Sequence, residues 1–281
     1  MRWQDSRRSD NVEDYRGSRF GGTGLKLGVG GTLVALVAGY FLGIDPRVIL
    51  GLAESLPAGG PAPTAQTGVP QDEAGNFISA VLGETEDTWT DIFRRNGMVY
   101  EPPKLVLYTD QVRSACGSAR SAVGPFYCPG DHRVYLDLNF YNELKTRFAA
   151  PGDFAEAYVL AHEVGHHVQT LLGTEEKVRA AQQRGSEQER NALQVKMELQ
   201  ADCYAGVWAK NADTARHILE QGDVEEALQA ASAVGDDTIQ KRTQGYVVPD
   251  SFTHGTSAQR VSWFKKGLET GSVPACDTFG R

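Results

Sequence analysis

The chain has 281 residues, which is enough for one or two domains with a sizeable hydrophobic core. Its hydrophobic content of 41% and charged content of 23% are ordinary for a globular protein. The formal net charge of −8 argues against nucleic acid as a main partner.

The N-terminal part of the chain differs in composition from the rest. Residues 1–26 are polar and rich in Arg, Asp, Gly and Ser, which is typical of a disordered tail. The run from residue 27 to residue 44 has 18 residues and no charged side chain. This length is enough for one membrane-spanning helix. Lys26 and Arg19 precede this run, so the positive-inside rule predicts a cytoplasmic N-terminus and an extracytoplasmic remainder. A cleaved signal peptide and a buried soluble helix are the alternatives to this uncleaved single-pass anchor in the cell membrane.

A folded domain is predicted from residue 72 to residue 281. Residues 45–71 before it form a predicted linker, because Pro, Ala, Gly and Thr dominate their second half. A helix is predicted near residues 77–95, with short strands at 104–108 and 133–138. Most of the chain after residue 150 has helical periodicity. The pattern therefore predicts an α+β, mostly α, fold with a small sheet.

A short motif, His162-Glu163-x-x-His166, lies within an apolar stretch. Residues four apart share one helix face, so both imidazoles can bind one Zn²⁺ ion. Glu163 then lies beside the ion, where it can act as general base on a bound water. Asp153 and Glu156 predict a capping box at the start of this helix. An amphipathic helix with incidental histidines is the alternative, but these side chains are poor core material without a metal.

A catalytic zinc ion usually has three protein ligands, and Glu198 on a second predicted helix is the expected third. Asp202 follows one turn later and is expected to accept the free N–H of a ligand imidazole. His254 lies in a turn that leads into a helix containing Arg260. A histidine or arginine there can stabilise the oxyanion of an attacked carbonyl, whereas a purely structural turn is the alternative. The strand at 133–138 is predicted to be an edge strand that pairs with an extended peptide.

All four cysteines, Cys116, Cys128, Cys203 and Cys276, follow the predicted span. An even number beyond a membrane anchor predicts disulfides in an oxidising compartment. Three pairings are open, and Cys116 with Cys128 is preferred because the two bracket one loop, leaving Cys203 for Cys276. A cysteine zinc site is the weaker alternative, since the sequence has no Cys-x-x-Cys.

Six motifs in the same order resemble the bacterial neutral zinc metallopeptidase family. They are RRSDNVED at 7–14, GPFYCP at 124–129, VYLDL at 134–138, HEVGHHVQ at 162–169, MELQADC at 197–203 and DSFTHG at 250–255. The resemblance implies a membrane-anchored, zinc-dependent peptidase of the gluzincin type, with a zincin-like catalytic domain. His254 with Arg260 is also similar to an element of CAAX-prenyl membrane peptidases, which implies that both residues serve the active site.

These observations predict a zinc endopeptidase that acts on a peptide or protein substrate. Its predicted metal ligands are His162, His166 and Glu198, and its predicted general base is Glu163. One alternative is a zinc-bearing binding protein of the cell envelope without catalysis, and another is a zinc hydrolase of a different amide linkage. Glu163 favours an enzyme, because a structural zinc site needs no general base.

Overall fold

The structure, a computed structural model, describes residues 1–17, 65–120 and 124–280. The strands are β1 (Val12–Asp14), β2 (Gln66–Thr67), β3 (Lys104–Tyr108), β4 (Gln111–Ser114), β5 (Gly117–Arg120), β6 (Phe126–Cys128) and β7 (Arg133–Asp137). The helices are α1 (Glu73–Arg95), α2 (Asn139–Thr146), α3 (Asp153–Leu171), α4 (Thr174–Gln182), α5 (Glu187–Arg216), α6 (Asp223–Ala233), α7 (Asp236–Gln244) and α8 (Ser257–Thr270). This is the mostly helical α+β architecture that the sequence predicts.

Five strands form one sheet in the order β2-β1-β3-β7-β6, and β4 pairs with β5 as a separate hairpin. Strands β1, β3 and β7 are parallel, whereas β2 and β6 run antiparallel to their neighbours at the two ends. The predicted edge strand at 133–138 is therefore wrong, because β7 has a partner on each side. Strand β6 occupies that edge of the sheet instead.

Helix α3 is the central helix, and it packs against α1, α5 and α6 and against strands β6 and β7. Apolar residues occur all round it, as expected for a helix buried on every side. Gly165 lets α5 come close, because a Cβ atom there would lie only 2.9 Å from the carbonyl oxygen of Ala201. This close approach brings the two helices that carry the predicted metal ligands within reach of each other.

The start of α3 differs from the predicted capping box. Asp153 is the first helical residue, and the cap position is occupied by Gly152, which makes no side-chain hydrogen bond. The backbone N–H of Phe154 donates instead to Glu226 of α6 at 3.1 Å. The carboxylate of Glu226, on another helix, thus accepts a backbone N–H of the first helical turn. The sequence pattern had predicted that Asp153 would cap this end of the helix.

Residues 1–17 fold onto the rest of the described chain, whereas the sequence predicts a disordered tail over residues 1–26, of which 18–26 lie outside the described residues. Strand β1 lies inside the sheet, between β2 and β3. The buried carboxylate of Glu86 on α1 accepts hydrogen bonds from Ser9 Oγ at 2.6 Å and from Asn11 Nδ2 at 2.8 Å. Composition predicts disorder here because the segment is polar, but its polar groups have partners on α1. The folded unit therefore begins well before the predicted boundary at residue 72.

The predicted span at residues 27–44 and most of the predicted linker lie outside the described residues. Of the helices in the described ranges, none is long and apolar enough to cross a membrane. Strands β1 and β2 pair with Asp14 opposite Gln66, so the sheet contains chain from both sides of the predicted span. The single-pass topology, which places these two flanks on opposite sides of a membrane, stays a prediction.

Ser9→Ala tests whether the N-terminal segment is docked on α1. Losing a hydrogen bond to the buried carboxylate of Glu86 is expected to lower the free energy of unfolding by about 1.5–3 kcal/mol, measured by urea denaturation. Asp10→Ala changes the exposed neighbouring position and is expected to cost less than about 0.5 kcal/mol. If Ser9→Ala also has no effect, the segment contributes no stability in solution and the docking is wrong.

Both preferred disulfides are confirmed. Cys116 bonds to Cys128 and so joins the β4–β5 hairpin to the end of β6. Cys203 of α5 bonds to Cys276 near the end of the chain, closing a sequence separation of 73 residues.

Candidate metal centre

Three side chains from two helices converge on one point. Nε2 of His162 lies 3.2 Å from Oε2 of Glu198, and Nε2 of His166 lies 3.6 Å from the same oxygen. All three candidate ligand atoms lie within 4.8 Å of one another. Tetrahedral zinc with bonds of about 2.0–2.1 Å separates its ligands by about 3.3 Å. The spacing and the donor set of two nitrogens and one oxygen therefore fit a zinc site with one position open.

Asp202 holds His162 from the side opposite to Glu198. Its Oδ1 atom lies 2.8 Å from Nδ1 of His162, and its carboxylate is completely buried. The hydroxyl of Tyr158 donates to the same oxygen. A carboxylate only accepts hydrogen bonds, so Nδ1 carries the hydrogen and Nε2 faces the metal position. The structure thus gives Asp202 the geometry of a residue that orients a ligand imidazole.

The neighbouring carboxylates determine the protonation of the metal-free site. Burial lowers the pKa of His162, but Asp202 and Glu198 outweigh burial and raise this pKa to about 9. Burial raises the pKa of Glu198, yet His166 and His162 hold it well below the usual range. His162 is therefore protonated at neutral pH without a metal, and binding a metal must release that proton.

Glu163 lines a cavity of about 520 Å³ together with the three candidate ligands. The cavity also has walls of aromatic and aliphatic side chains, namely Phe126, Tyr127, Phe140, Phe148, Val159, Val178, Met197 and Ile239. A concave, largely apolar space with a few convergent polar groups is typical of a substrate site. Glu163 thus faces the same cavity as the candidate ligands and is open to a molecule in it.

His254 lines the same cavity and is held by Asp236, a residue that sequence reasoning missed. Oδ1 of Asp236 lies 3.2 Å from Nδ1 of His254. Oδ2 accepts the backbone N–H groups of Thr253, His254 and Gly255 at 2.8, 2.6 and 3.0 Å. The hydrogen bond to Asp236 raises the pKa of His254. Nothing in the sequence signals this pair, because acidic residues at a helix start are ordinary.

Arg260 lies beside His162 and also lines the cavity, with only 4% of its surface exposed. Its guanidinium donates to both carboxylate oxygens of Asp202, each at 2.8 Å. The same group keeps the pKa of Asp202 at about 2, against the effect of burial. This arrangement favours a positioning role for Arg260 over the predicted contact with an oxyanion.

Two glutamines bond the candidate ligands, and the sequence analysis identified neither. Nε2 of Gln194 donates to Oε1 of Glu198 at 2.8 Å, which leaves Oε2 for the metal. Oε1 of Gln169 lies 2.9 Å from Nδ1 of His166. Gln169 is three residues after His166, and Gln194 is four residues before Glu198. On a helix this spacing places each glutamine on the same face as its ligand, so both contacts could have been predicted from the sequence.

His167 joins helix α3 to the edge strand. Its side chain is completely buried, and burial lowers its pKa to about 4. Nε2 lies 2.6 Å from the carbonyl oxygen of Glu101, and Nδ1 lies 3.1 Å from the hydroxyl of Tyr127. The neutral imidazole therefore donates to the carbonyl and accepts from Tyr127, which fixes β6 beside the cavity.

Comparisons with known proteins agree with this geometry. The family model described as "Putative neutral zinc metallopeptidase" matches residues 1–279. "Uncharacterized protein YpfJ" of Escherichia coli (strain K12) is 51% identical over 290 residues, which cover 100% of this chain and 99% of the relative. "Uncharacterized protein Rv2575" of Mycobacterium tuberculosis (strain ATCC 25618 / H37Rv) is 40% identical over 253 residues, covering 85% of this chain and 84% of the relative. No solved structure matches the chain.

Proposed function

Because the chain belongs to the neutral zinc metallopeptidase family, we propose that it is a zinc-dependent endopeptidase. The observation that carries the proposal is the convergence of His162, His166 and Glu198 beside Glu163 in one open cavity. A structural zinc site is closed by its four protein ligands, whereas this site offers three ligands and a carboxylate base. The arrangement thus supports catalysis over storage or structural use of the metal.

Each residue of the site has a task in amide hydrolysis. Zinc held by the three ligands supplies a Lewis acid that lowers the pKa of water and polarises a carbonyl. Glu163 takes the proton of the attacking water and passes it to the leaving amine. Asp202 keeps the hydrogen of His162 on Nδ1 and so keeps Nε2 available as a ligand. His254, held through Nδ1 by Asp236, offers Nε2–H to the oxyanion of the tetrahedral intermediate.

The edge of the sheet supports a peptide as the substrate. Among the described strands β6 is the last on its side of the sheet, and its residues Phe126 and Tyr127 line the cavity. An extended peptide can add to such an edge through main-chain hydrogen bonds. Pairing with an extended peptide substrate, which was predicted for residues 133–138, is therefore assigned to β6. This edge favours a peptide over a compact amide, because a compact amide would not use a strand edge.

The test is metal content together with cleavage by the purified full chain. We expect one zinc per chain and cleavage of casein or a mixed peptide library, followed by mass spectrometry. Chelation is expected to abolish cleavage, and added zinc is expected to restore it. Zinc without any cleavage would instead identify a zinc-bearing binding protein. Cleavage that needs no metal, or the absence of bound metal, would contradict the ligand set.

Asp236→Asn tests the pairing of Asp236 with His254. The carboxylate raises the pKa of His254, so the protonated donor persists to higher pH than an unpaired histidine. Activity that needs this donor is lost as pH rises through that pKa. The variant is therefore expected to lose about tenfold in kcat and to move the alkaline limb of its kcat profile to lower pH.

The matched control for this prediction is Asp237→Asn, which changes the adjacent carboxylate. Asp237 accepts hydrogen bonds from Ser257 and does not contact His254 in the described structure. The alkaline limb of the kcat profile of Asp237→Asn is expected to lie at the same pH as in the wild type. A uniform loss of kcat in Asp236→Asn, with the limb unmoved, would mean that Asp236 only holds the turn.

The two disulfides support a location outside the cytoplasm, because such bonds persist in oxidising compartments. We propose that the catalytic site faces the cell envelope. Strand β1 belongs to the same sheet, so the proposal places the N-terminal segment there too, in contrast to the predicted cytoplasmic tail. Attachment to the membrane rests on residues 27–44 alone and stays a prediction. Tags before Met1 and after Arg281 should be accessible from the same side of the membrane, and access from opposite sides would contradict the proposal.

A further inference from the structure

We propose that the Cys203–Cys276 disulfide and two buried glutamines, Gln169 and Gln200, set the metal affinity of the site by positioning His166. The proposal rests on the zinc site described above and names the residues that regulate it. None of these four residues touches the proposed metal position. They act on it through a chain of directed hydrogen bonds.

The chain of hydrogen bonds runs from His166 to the C-terminal segment. Nδ1 of His166 lies 2.9 Å from Oε1 of Gln169. Nε2 of Gln169 donates to the carbonyl of Met197 at 2.8 Å and to Oε1 of Gln200 at 3.1 Å. Nε2 of Gln200 donates to the carbonyl of Cys276 at 2.9 Å. The side chains of Gln169 and Gln200 are 0% and 6% exposed, so water does not compete for these groups.

The direction of every bond follows from the backbone carbonyls at the far end. A carbonyl only accepts, so Gln200 must turn its NH₂ group toward Cys276 and its oxygen toward Gln169. The NH₂ group of Gln169 therefore faces Gln200 and Met197, and its oxygen faces His166. His166 must then carry its hydrogen on Nδ1, which leaves the lone pair of Nε2 for a metal. The relay thus selects the tautomer that can bind zinc.

The disulfide fixes the last member of the relay. Cys276 ends a short 3₁₀ segment, Val273–Cys276, and its bond to Cys203 ties this segment to helix α5. The same helix carries Glu198 and Gln200, so a metal ligand, an amide of the relay and the disulfide lie within six residues. Without the bond, the segment is held to α5 by non-covalent contacts alone. Its carbonyl can then move away, so Gln200 loses the acceptor that orients its amide, and Gln169 is oriented by the carbonyl of Met197 alone.

The first test changes Gln169 in two ways and measures zinc affinity by competition with a chromophoric chelator. Gln169→Met keeps the size of the side chain and removes the acceptor, so zinc affinity is expected to fall by about 10- to 100-fold. Gln169→Glu keeps an acceptor for Nδ1–H but no longer donates to Met197 and Gln200, so it is expected to lose less affinity than Gln169→Met. A purely structural role predicts the reverse order, because burying a carboxylate costs more than burying a thioether.

The second test separates the two disulfides in the full chain. Cys203→Ala with Cys276→Ala is expected to weaken zinc binding by about tenfold or more, by loss of the relay's anchor. Cys116→Ala with Cys128→Ala is the matched control and is expected to leave zinc affinity unchanged. Gln200→Met interrupts the relay while leaving both disulfides intact, so it keeps the test valid if the first double variant does not fold.

The outcomes distinguish this proposal from the proposed function. Unchanged zinc affinity in both Gln169→Met and Gln200→Met would overturn the relay, whatever the enzyme cleaves. Equal effects of the two disulfide variants would also overturn the specific role of Cys203–Cys276. If the wild type binds zinc, shows these shifts and cleaves no peptide, the relay stands and the peptidase proposal fails.

Discussion

Glu163→Gln is expected to keep its zinc and to lose about 10²- to 10⁴-fold in peptide cleavage, the usual contribution of a general base. The amide has nearly the shape of the carboxylate but does not accept a proton at neutral pH. Zinc content should remain one per chain, because His162, His166 and Glu198 are untouched. The measurement is kcat with a peptide substrate, alongside metal analysis of the same sample.

Glu156→Gln is the matched control, since it makes the same change on α3 two turns earlier. Burial raises the pKa of Glu156 to about 7, so at neutral pH this carboxyl is already partly uncharged. The control is therefore expected to retain its cleavage rate. If Glu163→Gln cleaves as well as the wild type, another group takes the proton and the proposed role of Glu163 is wrong. If it loses the metal, the variant has disturbed the ligands and the rate says nothing about a base.

Local periodicity explains why much of the site is accessible from sequence. His162 and His166 are one helical turn apart, and Glu198 and Asp202 repeat the same spacing on a second helix. The two residues of each pair lie on the same face whenever their segment is helical. Their meeting also needs two helices in close contact, and the sequence shows this only indirectly through Gly165, where a side chain would strike α5.

The parts that the sequence analysis missed depend on long-range packing. Asp236 accepts a hydrogen bond from the backbone of His254, eighteen residues later, and nothing in its sequence neighbourhood marks that contact. Strand β6, not β7, lies at the edge of the sheet. The order of strands depends on contacts between distant parts of the chain, so the local pattern of β7 does not reveal it. Residues 1–26 look disordered by composition, yet Ser9 and its neighbours satisfy the buried carboxylate of Glu86. In each case the structure of the segment depends on contacts with a distant part of the chain, and its local sequence pattern does not indicate them.

Arg260→Met is expected to lower the free energy of unfolding of the metal-free protein by about 3–5 kcal/mol. Arg260 and Asp202 are 4% and 0% exposed and share two hydrogen bonds of 2.8 Å. Removing the cation leaves a buried carboxylate with weaker partners. The variant is expected to fold with its zinc affinity reduced, because Asp202 no longer has a fixed position behind His162. Urea denaturation at pH 7 measures the first effect and chelator competition the second.

The pH dependence of this loss follows from the pKa of Asp202. Arg260 helps to hold that pKa at about 2, below the value of about 3.9 in an unfolded chain. A depressed carboxyl pKa contributes stability that is full above the unfolded value and is lost as pH falls through the folded value. The difference between the wild type and Arg260→Met should therefore be largest at neutral pH and should shrink as pH falls from about 4 toward 2.

A double variant decides whether Arg260 acts through Asp202 or on a substrate. Arg260→Met with Asp202→Asn leaves no unpaired charge buried, so it is expected to be more stable than Arg260→Met alone. The amide oxygen of Asn can still accept from Nδ1 of His162, and part of the zinc affinity should return with it. If Arg260 instead contacted the oxyanion, Arg260→Met would keep its stability and zinc affinity and lose only kcat. The guanidinium donates to both oxygens of a buried carboxylate, and that geometry favours the first result.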